Sequence, residues 1–313
     1  MPEVNFSASL ALPSGWILPS RVLLSPMEGI QTPAFVRAAT ALRLVDFWIT
    51  PFYSVSPDAV PSKQVLKRRF APYFETGLPF AVQLIGHAPA ELAACAAHLE
   101  EIGVKAINLN LACPSKTVLG HGNGGALLKN PDAVNSIVAE VKKAISAHIS
   151  LSVKLRAGYD SDAELKNLIA AVEDAELIVF HYRTVLEMYH PIANGLERLR
   201  KAVESANNIS VIGNGDIQSP GDARRMVQET GCAGVALARF FLKNPGILNA
   251  IRNGEPPSPA TSRRAMLSEM RTCNSELGPL LEFARTGMEQ EEFRSFLLEL
   301  GISKKQKSVA KSC

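Results

Sequence analysis

Short apolar runs alternate with longer amphipathic stretches along most of the chain. Eight of the short runs predict strands: Arg21–Leu24, Val45–Thr50, Phe80–Ile85, Ala106–Asn110, Leu151–Leu155, Leu177–His181, Ser210–Gly213 and Gly234–Leu237. Most are apolar on both faces, the pattern of parallel strands buried on either side. The stretches between them carry helical spacing and helix punctuation. Asn130 is placed as an N-cap with Pro131 at the first helical position, leading to Ile137, Val138 and Val141. Ser219-Pro220 repeats that start, and Gly231 is a natural stop for the same helix. Ser161-Asp162-Ala163-Glu164 has the form of a capping box ahead of Leu165, Leu168, Ile169 and Val172.

Strands that each lead into a crossover predict a (β/α)8 TIM barrel, an α/β fold. An open doubly wound sheet is the alternative, but no Gly-x-Gly-x-x-Gly follows a strand where a dinucleotide fingerprint needs it. The pattern changes after Gly254. Glu255-Pro256-Pro257-Ser258-Pro259 reads as a stiff linker, and helix patterns follow at Ser262–Leu277, Leu280–Thr286 and Glu289–Leu300. Residues 1–254 are therefore expected to form the barrel, and residues 255–313 a small helical domain with a frayed basic tail.

Composition narrows the class. The five cysteines (Cys95, Cys113, Cys232, Cys273, Cys313) are scattered and form no C-x-x-C pair, which argues against a disulfide scaffold, a zinc site or a cysteine-ligated cluster. No metal is expected, and a reducing cytoplasm is the expected compartment. Met1 to Ser14 lacks the basic start of a signal peptide, and no apolar run is long enough to predict a membrane span. A monomer is expected. The net charge of +3 is too small to imply nucleic-acid binding by itself. Two segments have a local excess: Lys63, Lys67, Arg68 and Arg69, and the tail with Lys304, Lys305, Lys307 and Lys311. On charge alone, each is more often a solvated face or a disordered end than an RNA site.

The chemistry gathers at the predicted carboxyl ends of the strands, where active residues sit on this fold. The run Ile107 to Ala112 ends at Cys113, and Pro114 cannot continue a sheet ladder. A free cysteine is often only a small buried hydrophobe; at a strand end it is placed for chemistry. The other ends give Ser25-Pro26-Met27-Glu28-Gly29, Gln83, Asn110, Lys154 with Arg156, His181 with Arg183, Gly213-Asn214-Gly215-Asp216, and Ala238-Arg239. The last two loops suit a phosphate, with glycine amides, Arg239 and the start of the helix near Ser219 as donors. Lys154 interrupts an apolar strand and needs a partner. A cofactor with a phosphate and an anion-prone ring satisfies both; FMN fits, with Lys154 beside the ring.

Residues 22–250 resemble the tRNA-dihydrouridine synthases, FMN-dependent barrels that reduce uridines in tRNA. The motifs are Leu24-Ser25-Pro26-Met27-Glu28-Gly29, Val82-Gln83-Leu84, Asn110-Leu111-Ala112-Cys113-Pro114-Ser115-Lys116-Thr117-Val118, Gly124-Gly125-Ala126-Leu127-Leu128-Lys129, Ser152-Val153-Lys154-Leu155-Arg156, His181-Tyr182-Arg183-Thr184 and Asn214-Gly215-Asp216, in the family's order. Met27-Glu28-Gly29 with the Cys-Pro-Ser-Lys-Thr-Val loop is most similar to the bacterial subgroup that modifies uridine 16 of the D-loop. The resemblance implies flavin contacts from Pro26 and Met27, ring hydrogen bonds from Gln83 and Lys154, and His181 on the ring or its phosphate side. It implies a phosphate site made of Asn214, Gly215, Asp216, Ala238 and Arg239, with Asn110 orienting the flavin or the uracil edge. Cys113 would be the general acid, protonating C5 of uracil after electrons enter at C6. A thiol with an ordinary pKa of about 8.5 is protonated at neutral pH, as this role requires. His121 is read as a loop residue rather than a base paired to that thiol. NADPH would recharge the flavin. Arg156, Lys63, Lys67, Arg68, Arg69 and the helical domain would hold tRNA.

Three places depart from the family's pattern. Ala112 precedes the cysteine where glycine is common, Tyr182 stands in the His-Gly-Arg-Thr turn, and Ala238-Arg239-Phe240 replaces Gly-Arg-Gly. If those glycines serve a positive φ or a close phosphate approach, the replacements cost about 1–2 kcal/mol each. The departures leave two alternatives: a degenerate member that binds tRNA without efficient reduction, and a flavin barrel acting on a free pyrimidine.

Overall fold

The computed structural model describes residues 4–254, 258–273 and 277–299. Eight parallel strands close a barrel: β1 (Val22–Leu24), β2 (Trp48–Ile49), β3 (Phe80–Ile85), β4 (Ala106–Asn110), β5 (Ser150–Arg156), β6 (Leu177–His181), β7 (Ser210–Asn214) and β8 (Gly234–Leu237). The ring closes where Leu237 lies beside Leu24, Leu24 beside Trp48, and Trp48 beside Phe80. Helices α1 (Pro33–Ala41), α2 (Lys63–Phe74), α3 (Pro89–Glu101), α4 (Pro131–Ala144), α5 (Leu165–Ala170), α6 (Gly195–Ser205), α7 (Pro220–Thr230) and α8 (Ile247–Asn253) follow the strands in turn. Every expected strand forms, with β2 trimmed to two residues and β5 and β7 running further, to Arg156 and Asn214.

Both faces of the strands are buried, and the two faces differ. The outward residues Val82, Leu84, Ile107, Leu109, Val153, Ile178 and Phe180 join the core beneath the helices. The inward face begins apolar, with Ala81, Ala106, Leu177, Val179, Ile212 and Ala236. Toward the carboxyl ends it turns polar: Gln83, Asn108, Asn110, Ser152, Lys154, His181 and Asn214. Side chains alternate along a strand, so one polar residue at every second position lines the mouth while the strand still reads as apolar. An antiparallel hairpin of Leu10–Ala11 and Ile17–Leu18 lies at the other end. Its Leu12 and Leu18 pack into the inner cluster, and Trp16 sits edge-on to Phe47 at 5.1 Å.

The punctuation around Asn130, Ser219 and Gly231 forms as expected. Asn130 accepts from the Asp132 and Ala133 amides, Ser219 from the Asp222 amide, and Gly231 stops α7 at φ 73°. The capping box at Ser161–Glu164 does not form. Helix α5 begins at Leu165 without a side-chain cap, and Asp162 is ion-paired with Arg198 at 3.4 Å. The Glu164 carboxylate, which the box would turn back to the Ser161 amide, accepts instead from Asn167 Nδ2 at 2.6 Å.

After the barrel come α9 (Pro259–Thr272), α10 (Leu277–Gly287) and α11 (Gln290–Glu299), the first ending short of the expected Leu277. Met266, Met270, Leu280 and Phe283 belong to the barrel's own core cluster, and Phe283 lies 5.8 Å from Phe35 on α1. The expected tail lysines (Lys304, Lys305, Lys307, Lys311), Cys313 and the linker residues Glu255 to Pro257 lie outside the described residues. Among the described residues no helix is long and apolar enough to cross a membrane, and no three His, Cys, Asp or Glu side chains gather as a metal site. Cys95, Cys113, Cys232 and Cys273 are free thiols.

Candidate active site

Every residue expected at the cofactor lines one cleft of about 750 Å³ at the carboxyl end of the barrel, together with Cys113 and Arg156. Strand register makes this convergence. Gln83 pairs beside Asn108, Asn108 beside Ser152, Asn110 beside Lys154, and His181 beside both Arg156 and Asn214.

A ladder of amides crosses the floor of the cleft. Asn110 Nδ2 donates to Gln83 Oε1 at 2.9 Å, Gln83 Nε2 to Asn108 Oδ1 at 2.7 Å, and Asn108 Nδ2 to Ser152 Oγ at 2.8 Å. Each bond leaves its carboxamide one orientation, so Gln83 is held with an N–H free for a ligand. Asn108 and Ser152 escaped the sequence reading because they lie inside strands, below the ends where chemistry is sought.

Cys113 sits at the top of this ladder. The Asn110 Oδ1 accepts the amides of Ala112 and Cys113 at 3.1 and 3.0 Å, a side-chain turn that ends β4. From below, the Gly125 amide donates to the Cys113 carbonyl at 3.1 Å. Gly124 has φ 56°, and a Cβ there would stand 3.1 Å from the Cys113 Cβ and 2.9 Å from Val118. The glycine pair thus lets the loop pack under the thiol. His121 is exposed, and its Nδ1 bonds the Thr117 carbonyl.

The cleft is cationic. Burial, then the charge of Arg156, pulls the Lys154 amine down to about 7, and the nearby Cys113 acts the other way. Burial, helped by Arg156, Lys154, Arg183 and Arg239, holds His181 well below its ordinary range. Its ring is therefore neutral, and since its Nδ1 accepts the Arg183 amide at 3.2 Å, its proton is on Nε2. Arg156, expected at RNA, is buried, and its guanidinium donates to the carbonyls of Ala112, Thr184 and Met188 at 2.9, 2.8 and 3.1 Å. In this structure it ties the Cys113 loop to the loop after β6.

That second loop carries a residue to which no sequence motif points. Met188 adopts φ 50°, and Tyr189 follows it half-exposed at the cleft, with the Arg239 guanidinium 4.1 Å from its ring centre. Glu282 and Thr286 of α10 also border the cleft.

The loop after β7 forms a cradle. Asn214 Nδ2 donates to the Ala236 carbonyl, and Gly215 adopts φ 148°. Asp216 does not face an anion bare, since its carboxylate is paired with Arg183. At the start of α7 the Asp222 amide donates to Ser219 Oγ, and the Asp222 carboxylate in turn accepts the Gln218 amide. The departures from the glycine pattern are accommodated: none of Ala112, Tyr182, Ala238 and Phe240 has a positive φ. Tyr182 is buried behind the cradle, where a Cβ on Gly215 or Gly195 would meet its ring at 2.3 or 2.7 Å. It fills space outside the cleft rather than crowding it.

Of the other residues expected at RNA, Lys63, Lys67, Arg68 and Arg69 are exposed on α2, outside the cleft. Lys63 is ion-paired with Glu101.

A family model described as dihydrouridine synthase (Dus) matches residues 23–310. The tRNA-dihydrouridine(16) synthase of Escherichia coli is 33% identical over 261 residues, covering 80% of this chain and 81% of that one. A protein of the same name from Cupriavidus necator is 34% identical over 252 residues, covering 77% and 76%. Among solved structures, morphinone reductase superimposes with a TM-score of 0.56 at 13% identity, over 83% of this chain and 93% of that one. The old yellow enzyme from Trypanosoma cruzi gives 0.57 at 11% identity, over 85% and 97%. At such identities the likeness is one of fold.

Proposed function

The chain belongs to the dihydrouridine synthase family, and from that premise we propose that it reduces uridine 16 in the D-loop of tRNA, with FMN in the barrel mouth, NADPH as reductant and Cys113 as general acid. The observation that carries this reading is a free thiol at the rim of a cationic cleft whose polar floor is fixed by hydrogen bonds. The residues fit FMN. Lys154 is an amine with no carboxylate bonded to it among the described residues, and Ser25 Oγ is a buried hydroxyl without a partner; both line the cleft. Gln83, Lys154 and the Nε2–H of His181 would hold the ring, and Asn214, Gly215, Ala238 and Arg239 the phosphate, while Pro26 and Met27 pack against it. Asp216 keeps Arg183 in place beside the cradle.

When bound, FMN supplies the electrons that saturate the C5=C6 bond of uracil, and NADPH replaces them. Cys113 delivers the proton to C5. Asn110 fixes the loop from which it does so, and the neutral state of His181 leaves the cationic work to Lys154 and Arg239. The uridine must leave the folded RNA to reach this mouth. Residues 255–313 act as the tRNA-holding domain in this reading, with Lys67, Arg68 and Arg69 on RNA phosphates and Lys63 available once it leaves Glu101. The enzyme works as a cytoplasmic monomer.

Nucleoside mapping of tRNA by mass spectrometry, in cells with and without this protein, tests the proposal. Loss of dihydrouridine at position 16 alone is expected. Unchanged dihydrouridine at every position, in cells with no other synthase, overturns it.

A further inference from the structure

Beside the mouth lies a second cavity of about 210 Å³, and Glu28 and Pro51 line both. Its wall comes from the turn between β1 and α1, from the end of β2, and from α2. Two polar side chains in that wall are buried with nothing to bond. Gln31 is 6% exposed and neither its Oε1 nor its Nε2 has a partner, while Tyr73 is 5% exposed with an unpartnered hydroxyl. Native interiors seldom leave such groups unpaired, so the cavity is made for a polar occupant. Glu28 belongs to the same cluster: burial raises its pKa and the Arg69 charge opposes the rise.

Water alone could fill the space, which holds about seven molecules. The shape and chemistry point further. Phe70, Pro51 and Pro33 give apolar walls for a flat ring, and the polar atoms are of three kinds. A carboxylate only accepts, a carboxamide both donates and accepts, and a hydroxyl does either. Guanine is the complementary heterocycle, with two adjacent N–H donors for the carboxylate and a carbonyl oxygen for the amide or hydroxyl.

We propose that this cavity takes the nucleobase that adjoins the reacting uridine in the RNA strand, read at its hydrogen-bonding edge by Glu28, Gln31 and Tyr73. The inference rests on the RNA-reducing function proposed above. With one base in the mouth, the next along the strand meets the wall that the two cavities share. Arg69 stands at the rim for the phosphate between them.

The test uses the full chain with FMN and tRNA transcripts in which each nucleotide flanking the reacting uridine is guanosine, uridine or abasic. The wild type should prefer guanosine at one flanking position by about tenfold in kcat/KM. Gln31→Leu should lose that preference while keeping the flavin absorbance and the reduction of flavin by NADPH. A wild type indifferent to both flanking bases, or a Gln31→Leu protein that keeps the full preference, overturns the subsite. Should Gln31→Leu lose its flavin and prove misfolded, Tyr73→Phe and the wild-type panel still decide. If no transcript is reduced although NADPH reduces the flavin, the RNA function itself has failed and takes the subsite with it.

Discussion

The side chain of Asn110 holds the backbone of Cys113: its Oδ1 accepts the Cys113 amide at 3.0 Å while its Nδ2 donates to Gln83 at 2.9 Å. One carboxamide therefore sets both the loop that presents the thiol and the Gln83 amide that lines the cleft. Asn110→Ala should lower stability by about 1–3 kcal/mol, since it leaves buried partners unpaired. Uridine reduction should fall further than flavin reduction by NADPH. Equal falls in both would show that Asn110 serves the cofactor alone.

Cys113→Ala should keep the flavin spectrum and NADPH oxidation but lose uridine reduction by about 10²–10⁴-fold, the range of general acid catalysis. Single-turnover reaction of the reduced enzyme with tRNA is the measurement. A rate within a few-fold of wild type would remove Cys113 from proton delivery.

Lys154 makes the cofactor site pH-dependent. Its amine falls from 10.5 to about 7 in the folded, flavin-free protein. Between those values the unfolded chain binds the extra proton, so stability of the flavin-free protein rises with pH through that window. An anionic cofactor restores the proton, so FMN affinity should weaken as pH climbs above 7, by up to about tenfold per unit. The FMN phosphate, with a second pKa of about 6, is already charged there and adds no slope. Titration of flavin fluorescence from pH 7 to 9 reads this directly. Lys154→Met should flatten the dependence; an unchanged slope in that variant assigns it to another group.

Arg156 bridges the carbonyls of Ala112 and Met188. Arg156→Lys cannot span both with a single ammonium. Hydrogen exchange at the amides of Val185 to His190 should quicken, and KM for tRNA should rise more than kcat falls. Exchange identical to wild type would leave the second loop standing without this tie.

Tyr182→Gly restores the residue common in the family and should not help. The ring fills the space behind Gly195 and Gly215, so its removal should cost about 3–5 kcal/mol of stability, as for other buried aromatics. FMN affinity should stay the same or weaken. Tighter binding would mean that the ring crowds the cofactor.

The sequence by itself determined the barrel and its mouth. Apolar runs such as Leu177–His181 are short, buried on both faces and separated by helices with clear caps at Asn130 and Ser219, and these are local signals. Lys154 and His181 stood out as polar residues in apolar strands, and Cys113 as the thiol where an apolar run meets Pro114. Tertiary structure decided the rest. The box at Ser161 to Glu164 did not form, and Asp162 within it paired with Arg198, distant in sequence. Asn108 and Ser152 became part of the site because parallel register set them beside Gln83 and each other. Arg156 turned inward to carbonyls on two loops, and Tyr182 turned outward behind Gly215. Those outcomes depend on which residues meet across the barrel, and pairings between distant segments leave no trace in the local spacing of either one.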